Sequence, residues 1–214
     1  MLGDILAAHA QLYPGAPPAV LAALWWHLAS AVLIGPPAAG ALVGVPLSAA
    51  LEDLQTCVGE GGIVSAAVSH ASGPADPGRD LGESLGVLIE TVCVLTGLRP
   101  RPLWAVAVDS LATRLLSFGR ARHDVERATA LARELAASSG APVPGPRFVD
   151  VDGARFVVRM SCCQLYRIPG AELCTSCPRR SADDRAGLLA RAAPDFHPLN
   201  SDRAAPRRRA EQGV

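Results

Sequence analysis

The 214-residue chain contains no lysine, and all of its 20 basic residues are arginine. They are balanced by 20 acidic residues, so the formal net charge is zero. The chain therefore lacks the overall excess of basic residues that would indicate nucleic acid as a partner. Half of the residues are hydrophobic and only 19% are charged, a composition that excludes an intrinsically disordered chain. Length and composition together predict one globular domain.

Charged residues are missing altogether from residues 5–51, and the first basic residue of the chain is Arg79. Within this stretch, residues 19–34 form an apolar run. A membrane-spanning helix needs about 20 such residues, and this run is shorter, is bounded by prolines and lacks flanking positive charge. We therefore predict a buried helix and no stable membrane span. His27, inside the run, is expected to be a core or surface histidine rather than a metal ligand.

The sequence also lacks the short motifs of several common enzyme classes. It contains no Gly-x-Ser-x-Gly, no phosphate-binding loop and no Gly-x-Gly-x-x-Gly behind a strand. The absent dinucleotide motif means that a redox function would require a separate electron donor.

What the sequence does contain is a cluster of cysteines. Four of its six cysteines lie near the C-terminus as the adjacent pair Cys162 and Cys163, followed after ten residues by Cys174-x-x-Cys177. Such clustering is typical of disulfides, a metal ion or a metal cluster. Disulfides are disfavoured because the N-terminal residues show no secretory signal. A bridge between adjacent cysteines would also be strained.

Zinc and an iron–sulfur cluster are the two remaining alternatives. Structural zinc takes four tetrahedral ligands, commonly as two Cys-x₂₋₄-Cys pairs, and Cys174 and Cys177 fit one such pair. Cys162 and Cys163 do not supply the other, because adjacent side chains on an extended chain point to opposite sides. The doublet suits a wider target with two metal atoms and favours a [2Fe–2S] cluster. Spacing alone does not decide between the two.

The residues around the doublet resemble the C-terminal cluster motif of the FhuF-like ferric siderophore reductases, also called siderophore-iron reductases. Residues 159–170 (RMSCCQLYRIPG) resemble the family's Arg-x-Ser-Cys-Cys-x-x-Tyr-Arg-x-Pro-Gly run. Leu103 and Trp104 resemble a Leu-Trp pair that many members carry at the start of a helix. Residues 171–173 depart from the family's more usual glycine-rich turn. The resemblance implies a [2Fe–2S] cluster on Cys162, Cys163, Cys174 and Cys177.

The same resemblance implies a cytoplasmic oxidoreductase that passes one electron from the cluster to siderophore-bound Fe³⁺ and releases Fe²⁺. The implied partners are a ferric siderophore, a separate electron donor such as a ferredoxin or a reductase, and, transiently, the siderophore uptake machinery. Candidate substrate contacts are Arg159, Arg167 and Trp104, and no catalytic residue is expected beyond the cluster ligands. The alternative functions are an iron–sulfur redox sensor or electron carrier, and a zinc-stabilised structural module.

Arginine is concentrated around the cysteines. Residues 155–191 hold seven arginines against three acidic residues, whereas residues 1–78 hold five acidic residues and no basic one. A [2Fe–2S] centre with four thiolates is negatively charged, so guanidinium groups close to it would stabilise its reduced form. For any single arginine, an ordinary solvated surface position is the simpler interpretation.

Hydrophobic periodicity and turn residues predict a mainly helical α+β domain with a small antiparallel sheet. Besides the buried N-terminal helix, the predicted helices span residues 47–58, 81–96, 102–118, 121–137 and 182–192. A strand is predicted at residues 61–70, and a β-hairpin at residues 147–151 and 154–160 around Asp152-Gly153. Cys57 and Cys93 are predicted to be small buried hydrophobic residues in helices.

These elements predict one compact unit in three parts. Residues 1–140 form a mainly helical body. Residues 141–193 contain the hairpin, which acts as an arm that carries the cluster segment. Residues 194–214 form a disordered tail.

Overall fold

The computed structural model describes residues 2–196, in which helices dominate and the strands form two hairpins. The helices are α1 (Leu2–Gln11), α2 (Pro18–Leu33), α3 (Gly35–Val43), α4 (Pro77–Thr96), α5 (Pro100–Ala121), α6 (Val125–Ser138) and α7 (Ala182–Ala192). The strands are β1 (Leu54–Val58), β2 (Val64–Ser69), β3 (Arg147–Val151) and β4 (Ala154–Val158). This arrangement confirms the α+β prediction. Of the predicted tail, residues 194–196 belong to a short 3₁₀ turn, and residues 197–214 lie outside the described residues.

Helix α2 forms the centre of the core. Pro18 is the first residue of α2, and its fixed φ angle favours the helical conformation. The predicted buried helix is therefore present. The indole N–H groups of Trp25 and Trp26 donate to the carbonyl oxygens of Gly62 and Leu103, at 3.0 and 2.9 Å. The stretch Pro18–Val43 is long and apolar enough to cross a membrane, but more than half of its most apolar window is buried inside the protein. This stretch, which comprises α2 and α3, therefore belongs to the core of the fold.

Helices α4 and α5 pack against α2, and α6 packs against α4 and α5 to complete the core. An apolar stripe is predicted for α4 at Leu81, Leu85, Leu88, Ile89, Val92 and Leu95. Leu81, Leu85, Ile89 and Val92 are at most 5% exposed, but Leu95 is 51% exposed, so the prediction is wrong for this last residue. Helix α4 crosses the end of α6 at Gly82, where a Cβ atom would lie 2.0 Å from the carbonyl oxygen of Ser139. Glycine is needed here because any side chain would collide with the backbone of the neighbouring segment.

Strands β1 and β2 form an exposed antiparallel hairpin, with Leu54 opposite Ser69. The helix predicted at residues 47–58 is therefore wrong. Gly61 and Gly62 both have positive φ, so the chain reverses here and pairs the preceding residues with β2. Cys57 lies exposed on β1 and Cys93 half-buried on α4, so the prediction that both are buried in helices is wrong for Cys57.

Strands β3 and β4 form the predicted second hairpin, which turns at Asp152 and Gly153. Both residues have positive φ, as a type I′ turn requires. The inner face of the hairpin, at Ala154 and Phe156, packs against Leu189 of α7 to form a second, smaller core. Strand β4 ends at Val158, two residues before the predicted end, and the chain continues directly into the cysteine segment.

Candidate functional site

The fold brings together the four cysteines predicted as ligands. The Sγ atoms of Cys162 and Cys177 lie 3.9 Å apart, and the Cys163 and Cys174 thiols are close enough to shift each other's pKa. Cys163 and Cys177 are buried, and the other two are half-buried. The four thiols thus meet in one place, where the doublet faces the Cys-x-x-Cys loop.

The Cys-x-x-Cys loop is held in place by Arg180. Its Nε donates to the carbonyl oxygen of Cys174 at 3.0 Å and its Nη2 to that of Leu173 at 2.5 Å, while Nη1 pairs with Asp184 of α7 at 3.4 Å. These hydrogen bonds satisfy carbonyl groups that no regular element would pair. The start of α7 therefore fixes the loop relative to the hairpin.

Asp109 anchors the other side of the site. This carboxylate on α5 is 3% exposed and accepts hydrogen bonds from the backbone N–H of Met160 (3.0 Å), the backbone N–H of Ser161 (2.9 Å) and the Ser161 hydroxyl (2.6 Å). Burial raises the pKa of Asp109, and the hydrogen bonds from Ser161 and Met160 and the charge of Arg159 offset part of that effect. These two backbone N–H groups bond to the carboxylate and not to a neighbouring strand. The chain therefore leaves the hairpin just before Cys162.

Asp109 was not predicted as a site residue, although the sequence contains a signal for it. Asp109 lies between Val108 and Ser110 on the buried side of α5, where its neighbours are apolar or small. An acidic residue is almost never fully buried unless it is paired. An isolated carboxylate on the apolar face of a predicted helix therefore indicates a partner elsewhere in the chain.

Arg159 is the cationic residue in contact with the thiols, and its side chain is only 10% exposed. Its Nη1 lies 3.8 Å from Sγ of Cys174, its Nε lies 3.9 Å from Oδ2 of Asp109, and its Nη2 donates to Nδ1 of His27 at 3.4 Å. Burial, and then the charge of Arg159, lower the pKa of His27 to about 4, so that its imidazole is neutral near pH 7. His27 is thus a neutral acceptor for Arg159.

The thiols differ in their proton affinity because they interact with one another. The hydrogen bond from Cys174, then the backbone N–H of Leu165 and the charge of Arg159, lower the pKa of Cys163, whereas burial raises it. The pKa of Cys174 is raised, chiefly because its proton is held in the hydrogen bond to Cys163. Binding a metal at these sulfurs would release the protons that they carry.

The other two candidate substrate contacts are Arg167 and Trp104. Arg167 is exposed, and its Nη1 donates to Oε1 of Gln164 at 2.9 Å. Trp104 is half-buried on α5, near Gly86 of α4, where a Cβ atom would lie 3.7 Å from its ring. Within residues 2–196, neither side chain makes a hydrogen bond to a cysteine of the site. Only Arg159 of the three is brought to the thiols.

An open groove of about 640 Å³ lies beside the cysteines, and we call it the arginine groove. It is lined by Arg99, Arg101, Pro102, Ala105, Val143, Pro144, Arg147, Arg159, Met160 and Pro178. Arg159 therefore faces both the groove and Cys174. This groove is not predictable from the sequence pattern, because its arginines come from three separate parts of the chain.

The donor set fits an iron–sulfur cluster by its chemistry. Among the described residues, no three His, Cys, Asp or Glu side chains surround a single metal-ion position. The four cysteine thiols are nevertheless gathered in one place, with the Sγ atoms of Cys162 and Cys177 3.9 Å apart. Four thiolates shared between two irons are the usual ligand set of a [2Fe–2S] cluster.

Comparison with known protein families gives the same result. Residues 159–179 match the family model described as the FhuF 2Fe-2S C-terminal domain. The match covers about a tenth of the chain and contains Arg159 and all four cysteines. It confirms the resemblance to the FhuF-like family and identifies a [2Fe–2S] cluster as the cofactor of this segment. No curated protein and no solved structure was found to match the chain.

Proposed function

We propose that the protein is a ferric siderophore reductase of the cytoplasm. It would hold a [2Fe–2S] cluster on Cys162, Cys163, Cys174 and Cys177 and reduce siderophore-bound Fe³⁺ to Fe²⁺ by one electron. The observation that carries the proposal is the position of these four thiols, inside a matched 2Fe-2S domain and next to an open groove. The bound cluster would supply reversible one-electron chemistry.

The role we propose for Arg159 is electrostatic. A [2Fe–2S] cluster with four thiolate ligands carries net negative charge, because its two sulfides and the thiolates outweigh the two irons, and this charge increases on reduction. A guanidinium 3.8 Å from Cys174 Sγ and only 10% exposed is screened little by water, so it stabilises the more negative state. Asp109 cancels part of this charge while it holds Arg159 in place. Replacing Arg159 with glutamine should therefore lower the reduction potential.

The chemistry of the substrate explains why one electron is enough. Siderophores bind the hard Fe³⁺ ion through anionic oxygens much more tightly than they bind Fe²⁺, so reduction weakens the complex. No acid or base on the protein is required for this transfer, in agreement with the absence of a hydrolytic motif from the sequence. The electrons would come from a ferredoxin or a reductase, because the chain has no dinucleotide-binding motif.

The first test is anaerobic purification followed by a visible absorption spectrum and by quantification of iron, sulfide and zinc per chain. We expect two irons and two sulfides per chain and a chromophore that dithionite bleaches. Cys174→Ser should lose both the colour and the iron. Cys57→Ser is the matched control and should keep them, because Cys57 is exposed on β1, away from the matched segment.

The second test is a single turnover. The reduced protein is mixed with a ferric siderophore, and Fe²⁺ is trapped by a coloured chelator. Appearance of the Fe²⁺ complex together with reoxidation of the chromophore would support the proposed function. A colourless protein that holds one zinc after attempted cluster reconstitution would overturn it, as would a loaded protein that reduces no ferric chelate.

A further inference from the structure

The charge distribution of the arginine groove indicates what it binds. Arg99, Arg101 and Arg147 are exposed at the groove, and Arg159 lies at its inner end beside Cys174. No acidic residue lines it. Within residues 2–196, no carboxylate lies within ion-pair distance of the three exposed arginines. These three positive charges are uncompensated and close together, although the chain as a whole is neutral.

The exposed arginines are free to bind a ligand. Some guanidinium groups elsewhere in the structure are engaged, such as those of Arg155 with Asp150 and Glu126 and of Arg79 with Glu83. Those of Arg99, Arg101 and Arg147 have no ion-pair or cation–π partner among the described residues. Concentrating like charge without compensation costs free energy, which a bound anion would recover.

The walls of the groove set the size and character of that anion. Between the arginines, the lining consists of proline, alanine, valine and methionine side chains. A volume of about 640 Å³ suits a small molecule. Arginine stacks on aromatic faces and also pairs with anionic oxygens. An anion built of aromatic rings around a charged centre fits both the charge and the apolar walls.

We propose that the arginine groove binds ferric chelates of net negative charge, with catecholate ligands as the best fit. This inference rests on the proposed function and names its substrate class. Six phenolate oxygens around Fe³⁺ give a trianionic complex, whereas three hydroxamates give a neutral one. The groove holds three uncompensated arginines, so it selects the trianionic complex. Arg159 lies between the bound chelate and the thiols.

The test measures binding without electron transfer, because Ga³⁺ replaces Fe³⁺ and is not reduced. The probes are the Ga³⁺ complexes of a hexadentate tris-catecholate and of a neutral trihydroxamate. Each is titrated by calorimetry into the cluster-loaded, full-length protein. We expect the trianionic complex to bind at least about tenfold more tightly than the neutral one at low salt, and the difference to shrink as salt screens the charges.

Two variants of equal net charge make the test specific. The groove variant replaces Arg99, Arg101 and Arg147 with glutamine. The control variant replaces the exposed residues Arg122, Arg127 and Arg191, which do not line the groove. An exposed ion pair contributes about threefold in affinity, so the groove variant should bind the trianionic complex about 30-fold more weakly. The control variant should stay within about twofold of wild type.

Three results would overturn the inference. The first is that the trianionic complex fails to bind the wild type, and the second is that it binds no more tightly than the neutral complex. The third is that the two variants weaken its binding equally. If the groove substitutions leave chelate binding unchanged and instead slow electron uptake from a reduced ferredoxin, the groove is a docking site for an acidic protein and the inference is also wrong. Failure of the proposed function appears separately, as a loaded protein that reduces no ferric chelate.

Discussion

Replacing Asp109 with asparagine tests the contact that attaches the cysteine segment to the helical body. The substitution keeps the size of the side chain but exchanges one acceptor oxygen for an NH₂ group. That group would face donors that now bond to the carboxylate: the backbone N–H groups of Met160 and Ser161 and the Ser161 hydroxyl. At least one buried donor therefore loses its partner, and Arg159 loses its counter-charge.

The expected magnitude follows from these contacts. A hydrogen bond to a charged group contributes about 1.5–3 kcal/mol, and a buried donor left unpaired costs about 1–3 kcal/mol. Because Asp109 is 3% exposed, water does not replace the lost bonds. We expect Asp109→Asn to lower the free energy of unfolding by about 3 kcal/mol and to reduce the iron bound per chain.

The assay is anaerobic urea unfolding of the loaded protein, with iron quantified in the same samples. The matched control is Asp150→Asn, in which an exposed carboxylate that pairs with Arg155 on the hairpin is replaced. This control substitution should lower the free energy of unfolding by less than about 1 kcal/mol and leave the iron content unchanged. Equal unfolding midpoints for the two variants, with wild-type iron content in both, would refute the anchoring role of Asp109.

Two further predictions concern the core. Burial and Arg159 lower the pKa of His27 from 6.5 to about 4. The free energy of unfolding therefore falls as the pH drops from about 6.5 towards 4, because the unfolded chain then binds the proton more tightly than the folded protein does. Above about pH 6.5, His27 does not reduce it. His27→Gln should remove about 2 kcal/mol of the loss between about pH 7 and pH 5 in urea titrations; parallel pH profiles would contradict this. Gly82→Ala should destabilise by more than about 2 kcal/mol because its Cβ would lie 2.0 Å from the Ser139 carbonyl oxygen. Gly35→Ala, with open space around its Cβ, should be neutral within about 0.5 kcal/mol, and similar melting temperatures for these two glycine variants would argue against the tight crossing of α4 and α6.

Elements governed by local rules were predicted well from the sequence. The β3–β4 hairpin was found because Asp152-Gly153 suits a turn with two positive φ angles. Helix α7 has the predicted bounds, with Ser181 capping its first turn through a hydrogen bond to the N–H of Asp184. By contrast, β1 was mistaken for a helix. Its five residues are too few to show a clear period, and their conformation depends on pairing with β2.

The sequence by itself determined the cofactor chemistry, because four thiols within sixteen residues and their neighbours form a motif that can be recognised without a fold. Only the tertiary structure decided what surrounds those thiols. Asp109 and His27 lie 53 and 135 residues before Cys162 in the chain, and Arg99, Arg101 and Arg147 meet only when the start of α5 packs beside the hairpin. A ligand motif is encoded locally, since its residues are neighbours in sequence. The charges and hydrogen bonds that position it come from distant segments, which burial of the apolar faces of α2 and α5 brings together.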